Sequence, residues 1–208
     1  MADNKQHVLI VNGYGPHIQF EDPKLDRFLE GYRRYLERVA YFIDEYLPDF
    51  LVFSGGATQQ KSAPGQTEAK IMFNYVFPRM NKVSREKYLQ MRQVRLEERA
   101  FTTFGNSYYA HGAIFTAIGT GVLKNEPCLI THFCEAHRAP NVNQCDRAFL
   151  RTLIEDIDDL RLETESWERA DPFKQVANLV YNRLAIKYPR LGLAEREQRR
   201  RMLRAKEV

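Results

Sequence analysis

Cysteine is scarce in this chain. Cys128, Cys134 and Cys145 are the only three among 208 residues. They are odd in number and lack metal-ligand spacing, so they fit reduced thiols better than a disulfide framework. No apolar run approaches the roughly 20 residues that a membrane helix needs. The first residues, MADNKQHVLIVNG, hold no apolar core of signal-peptide length. Together these absences point to a cytoplasmic protein. An excess of one charge is missing too: 31 basic residues face 27 acidic ones, a balance that does not by itself argue for nucleic acid. Internal repeats and low-complexity linkers are absent. The dinucleotide fingerprint is incomplete, because Gly13-Tyr14-Gly15 is not followed by a third glycine at Ile18. No helical His/Glu ligand pair of the metalloprotease type occurs either, so no metal is assigned. With 44% hydrophobic and 28% charged residues, the chain reads as a globular protein rather than a disordered one.

What is present alternates. His7 to Val11 is a continuous apolar run that ends in Asn12-Gly13-Tyr14-Gly15, a strand and its exit turn. Leu25, Phe28, Leu29, Tyr32, Leu36, Val39 and Ile43 recur every three or four residues from about Pro23 to Tyr46, one face of a helix. Phe50 to Phe53 is a second buried strand, cut off by Ser54-Gly55-Gly56, and a helix opens near Gln66-Thr67-Glu68. Asn81 to Met91 predicts a short helix or loop. Val94 to Glu97 predicts a third strand, and Thr102 or Thr103 caps the helix that runs to Gly119. Pro127 to Thr131 predicts a fourth strand with His132 to Arg138 as its exit loop. A helix follows around Asp146 to Ile154, and a fifth, edge strand from Leu160 to Thr164. Asp171-Pro172 opens a helix through Val176, Val180 and Leu184. The Arg-rich end carries Arg196, Arg199, Arg200, Arg201 and Arg204. Alternating strands and helices predict a doubly wound, mostly parallel α/β sheet of about five strands with helices on both faces, a Rossmann-like sandwich. Residues 1–168 form the α/β domain, and 169–208 a helical extension.

Right-handed crossovers bring the strand-end loops to one rim. There Asn12, Gly13 and Gly15 meet Ser54, Gly55, Gly56 and Glu68, then Glu97, Thr103 and Asn106, then Thr131, His132, Glu135, His137 and Arg138. The glycine-turn amides and the helix start suit an anion, and the Arg138 fork suits a phosphate or carboxylate. Glu68 and Glu97, with Glu135 behind them, are the candidate acid/base groups. Each has a plainer role: Glu68 also complements a helix dipole, and Thr103 is also a cap.

The order Ser54-Gly55-Gly56, Thr67-Glu68-Ala69, Glu97 with Thr103 and Asn106, then Thr131 with Arg138-Ala139 resembles the YdcF/SanA/ElyC family, a domain of unknown function. The resemblance runs from Val8 to about Ala148, and Asn12-Gly13-Tyr14-Gly15 matches the family's first glycine turn. Two positions depart from the pattern. Glu135 stands where many bacterial members carry His, as in a branch with an acidic residue there, and Gly105 replaces the usual Glu. A mechanism that uses that His as base then needs His132 or His137 in its place. The resemblance implies a doubly wound fold with a pocket at the strand ends. It makes S-adenosylmethionine a possible ligand, since some relatives are linked to its binding. Others are linked to cell-envelope maintenance and lipid-carrier metabolism, usually with a membrane anchor that these residues do not contain.

The expected function is binding of a small anionic ligand (nucleotide-like, S-adenosylmethionine-like or phosphorylated) at the strand-end rim. The first alternative is hydrolysis of a phosphate ester or anhydride by Glu68 or Glu97 with Arg138. The second is a nucleic-acid or protein-binding module that uses the basic tail, whose plainer role is a solvated helix.

Overall fold

The computed structural model describes residues 5–13, 26–58, 65–167 and 171–207. Five strands form one parallel sheet: β1 (Gln6–Asn12), β2 (Phe50–Ser54), β3 (Val94–Glu97), β4 (Cys128–Glu135) and β5 (Leu160–Glu165), in the order β3-β2-β1-β4-β5. β1 lies at the centre, with Val8 opposite Phe50 on one side and Ile130 on the other. Strands buried on both faces need apolar residues at successive positions, which is why β1 and β2 are unbroken apolar runs.

Alternate residues of these strands feed two cores. Leu9, Val11, Leu51, Phe53 and Phe133 pack with α1 (Asp26–Tyr46), α2 (Glu68–Val76) and α3 (Lys82–Tyr88). Val8, Ile10, Phe50, Val52 and Ile130 pack on the other face against α4 (Thr103–Gly119). α5 (Ala139–Phe149) lies beside α4. The helical face read from the sequence is borne out in α1, where Leu29, Tyr32, Leu36, Val39 and Ile43 are all buried. Leu25 lies outside the described residues, as does the side chain of Phe28.

Caps mark the helix starts. Thr67 accepts from the Lys70 amide and Asn81 from the Ser84 amide. Thr102, not Thr103, caps α4, accepting from the Gly105 amide at 2.8 Å. Each satisfies an amide that the first helical turn leaves without a partner.

Two elements differ from the sequence expectation. β4 does not stop at Thr131. It is paired on both sides, with β1 as far as Phe133 and with β5 as far as Glu135, so His132 is a strand residue and the rim lies at Glu135. The following helix begins at Ala139, with Pro140 in its first turn, and ends at Phe149 rather than spanning Asp146 to Ile154.

The chain ends in α6 (Pro172–Lys187) and α7 (Leu193–Glu207). α6 docks through polar groups: the Asn141 side chain of α5 donates to Gln175 at 2.7 Å and accepts from Asn182 at 3.1 Å. Its apolar residues Val176, Val180 and Leu184 stay exposed, with Phe173 the most open at 87%. α7 is tied to the loop after β3. Gln198 accepts from the Phe101 amide at 3.0 Å and donates to the Arg99 carbonyl, and Ala205 is buried. Among the described residues no helix is long and apolar enough to cross a membrane.

Candidate functional site

The strands on the two sides of β1 send their helices to opposite faces, and ligands of open α/β sheets bind at such a switch point. The side chain of Tyr35 in α1 joins the strand ends here, its hydroxyl lying 2.9 Å from the Asn12 carbonyl and 3.0 Å from the Phe133 carbonyl.

The glycine turn differs from the expected anion cradle. The Gly13 amide donates to the Ser54 carbonyl, the Gly55 amide to the Glu97 carbonyl and the Gly56 amide to the Ala100 carbonyl, at 2.6–2.9 Å. The first amides of α2 are engaged as well: Glu68 donates to Gly56 and Ala69 to Gly55. The glycines are needed for close packing of the protein against itself. A Cβ on Gly13 would lie 2.3 Å from the Glu68 carboxylate, and one on Gly55 would lie 2.7 Å from the Glu68 Cβ. Glu68, nearly buried, is hydrogen-bonded by Thr58. Gly15 lies outside the described residues.

Glu97 is placed as a structural carboxylate. One oxygen accepts from the Arg99 amide and guanidinium at 2.9 and 3.1 Å, and the other from Ser54 and the Ala100 amide at 3.2 Å. Its four donors fix the turn after β3 and leave it poorly suited to take a substrate proton. Ser54 also lies 3.1 Å from the Asn106 side-chain oxygen, and Asn106 is buried. This pair ties β2 to the first turn of α4.

Thr131 sits below the rim. Because β4 continues past it, its hydroxyl meets His7 Nε2 at 2.9 Å inside the sheet, and it is not at a ligand-facing loop. Burial depresses His7 to about 4.

His132 is fully buried in a polar chain that crosses from β1 to α4. Its Nδ1 lies 2.6 Å from Asp146 of α5 and its Nε2 2.7 Å from the Asn12 side-chain oxygen, while Ser107 of α4 donates to Asp146 at 2.5 Å. Both ring nitrogens thus have a polar partner inside the sheet. The chain holds Asn12 at the end of β1. Asp146 and Ser107 were not singled out in the sequence, although an Asp beside the buried Cys145 on an apolar helix face is a usable signal.

At the end of β4, Glu135 is buried and in contact with His137 Nδ1. His137 and Arg138 line a cavity of about 360 Å³ together with Thr102, Thr103, Lys174 and Tyr181. Its remaining charged walls are Asp171, Glu197, Arg200 and Arg201. Glu197 binds Arg200 at 2.7 Å and Arg201 at 2.8 Å, and these contacts hold its carboxyl below the usual range against the opposing effect of burial. Thr103, His137 and Arg138 are thus brought together. Glu68 and Glu97 do not line this cavity. Lys174 lies in the helix opened by Asp171-Pro172, where no local pattern points to the rim, and Arg200 and Arg201 belong to the Arg-rich end, whose plainer role is a solvated helix.

The three thiols are buried and free, and burial raises Cys128 to about 11. Among the described residues no group of three or more His, Cys, Asp or Glu side chains is placed to hold a metal ion. Comparison with family models, curated proteins and solved structures finds no match to this chain.

Proposed function

We propose that the chain binds a small anionic ligand, phosphorylated or nucleotide-like, with the negative group in the cavity beside the β4 exit. One observation carries this: four cationic side chains, Arg138, Lys174, Arg200 and Arg201, line the cavity against two anionic ones, Asp171 and Glu197. Guanidinium groups bind phosphate and carboxylate oxygens in bidentate fashion. The motifs shared with the YdcF/SanA/ElyC family support the same reading and put S-adenosylmethionine among the ligands to test. A thermal-shift and calorimetric series with inorganic phosphate, nucleotides, sugar phosphates and S-adenosylmethionine tests it, because a ligand that binds only the native state raises its stability. Arg138→Ala and Lys174→Ala should each weaken a binding anion by about ten-fold, the usual worth of a charge-assisted hydrogen bond. Affinity unchanged in both variants would overturn the assignment.

Hydrolysis of a phosphate ester is the second reading, favoured by the pairing of Glu135 with His137 at the cavity wall. A carboxylate on Nδ1 orients an imidazole and leaves Nε2 to take a proton from water. His137 then stands in for the His that the family pattern has at position 135. Turnover of p-nitrophenyl phosphate lost in His137→Gln while phosphate still binds would support it; no turnover by the native chain would end it.

A further inference from the structure

We infer that the anionic ligand carries a nucleobase, seated in a second cavity that adjoins the first; this rests on the first cavity being the anion site. The second cavity, about 290 Å³, is walled by Phe104, Tyr108, Phe149, Ile186 and Pro189, with Glu195 at its edge. Thr102 lines both cavities, and so does α7, which gives Gln198 to one and Glu197 and Arg201 to the other. The two cavities therefore share a wall at Thr102 and α7, and the inferred ligand reaches across it, with its charge on the cationic side and its ring on the aromatic side.

The lining selects the chemistry. Phe104 and Tyr108 both meet Phe149 edge to face, with centroids 4.9 and 5.4 Å away, and Tyr108 is 49% exposed. This is a solvent-reachable aromatic platform of the kind on which bases stack. The Gln198 amide is spent on the Phe101 and Arg99 backbone, so it does not read a ligand. Glu195 only accepts hydrogen bonds, so it favours a ring that offers N–H donors, as the amino edges of adenine and guanine do. A sugar phosphate would leave the aromatic cavity unfilled. An isoprenoid chain would fill it but set hydrocarbon against the Glu195 carboxylate, which gains nothing from such a contact.

Calorimetry on the full chain with AMP, GMP, ribose 5-phosphate and geranyl phosphate decides the matter. AMP or GMP should bind about ten-fold or more tightly than ribose 5-phosphate, the usual worth of one stacked base. Tyr108→Ala and Glu195→Gln should each reduce that advantage and leave ribose 5-phosphate affinity unchanged. Both positions are solvent-exposed, and Glu195→Gln keeps the side chain's shape. Nucleotides no tighter than ribose 5-phosphate, with Arg138→Ala weakening both, would overturn the nucleobase and keep the anion site. Geranyl phosphate tighter than both nucleotides would overturn it in favour of a lipid tail. No binding by any of the four would bring down the anion site itself.

Discussion

His7 carries a buried imidazole between Phe42, at 5.7 Å between ring centroids, and Tyr46, with Thr131 as its hydrogen-bond partner. Burial lowers it from 6.5 to about 4. The native state therefore resists a proton that the unfolded chain accepts. Its stability is complete above pH 6.5 and falls as the pH drops toward 4, by about 3 kcal/mol at most, taking about 1.4 kcal/mol per pH unit. His7→Gln keeps a polar partner for Thr131 and removes the titration. Urea unfolding at pH 7 and pH 4.5 should show a smaller difference in the variant than in the parent, and an equal difference would assign the acid sensitivity elsewhere. His132 is a second buried ring, held between Asp146 and Asn12. His132→Ala leaves the buried Asp146 carboxylate with Ser107 as its remaining side-chain donor among the bonds described. Removing one partner of a buried pair costs about 3–5 kcal/mol, so chemical denaturation should show a loss of that size. A loss below about 1 kcal/mol would mean that the chain relaxes or hydrates there.

At the scale of elements, legibility followed composition. β1 and β2 are legible because each is a short apolar run closed by a turn, β3 because Val94 and Leu96 alternate with charged residues, and α1 because its buried side chains recur at helical spacing. The second half of β4 is not. Thr131, His132 and Glu135 are polar, and a polar group belongs in a buried strand only when partners from other elements satisfy it. Those partners, His7, Asp146, Asn12 and His137, lie in other elements or beyond the strand, beyond the reach of local pattern. The rim residues Glu68, Glu97 and Arg138 were visible as the ends of runs, but the engagement of Glu97 by four donors was not. The charge of α7 says nothing of what holds it. It is held by two bonds from Gln198 to the loop after β3 and by burial of Ala205. Deleting residues 195–208 should lower the melting temperature and speed exchange of the Phe101 amide, which loses its acceptor. Unchanged exchange at Phe101 would mean that the loop stands without the helix.

On the scale of the whole molecule, the doubly wound topology divides the loops that the sequence groups together. Crossovers on one face carry α2 with Glu68 to the β1–β2 corner, where Glu68 packs on Gly13 and Gly55. Crossovers on the other face carry α4 with Thr103 toward Arg138 and the helical extension, which together wall the cationic cavity. A shared rim therefore does not mean one shared binding surface, and the two corners should respond separately to substitution. Sites far apart with no common partner contribute additively. Glu68→Gln should leave phosphate affinity within about two-fold of the parent, whereas Arg138→Ala should lower it about ten-fold, and the double variant should match the product of the two. The salt dependence should fall with Arg138 alone, since screening acts on the charges that face the ligand. If Glu68→Gln changed affinity as strongly as Arg138→Ala, with marked non-additivity between them, a single ligand would have to bridge both corners across the ends of β1 and β4. The glycine turn would then belong to the site as well as to the packing.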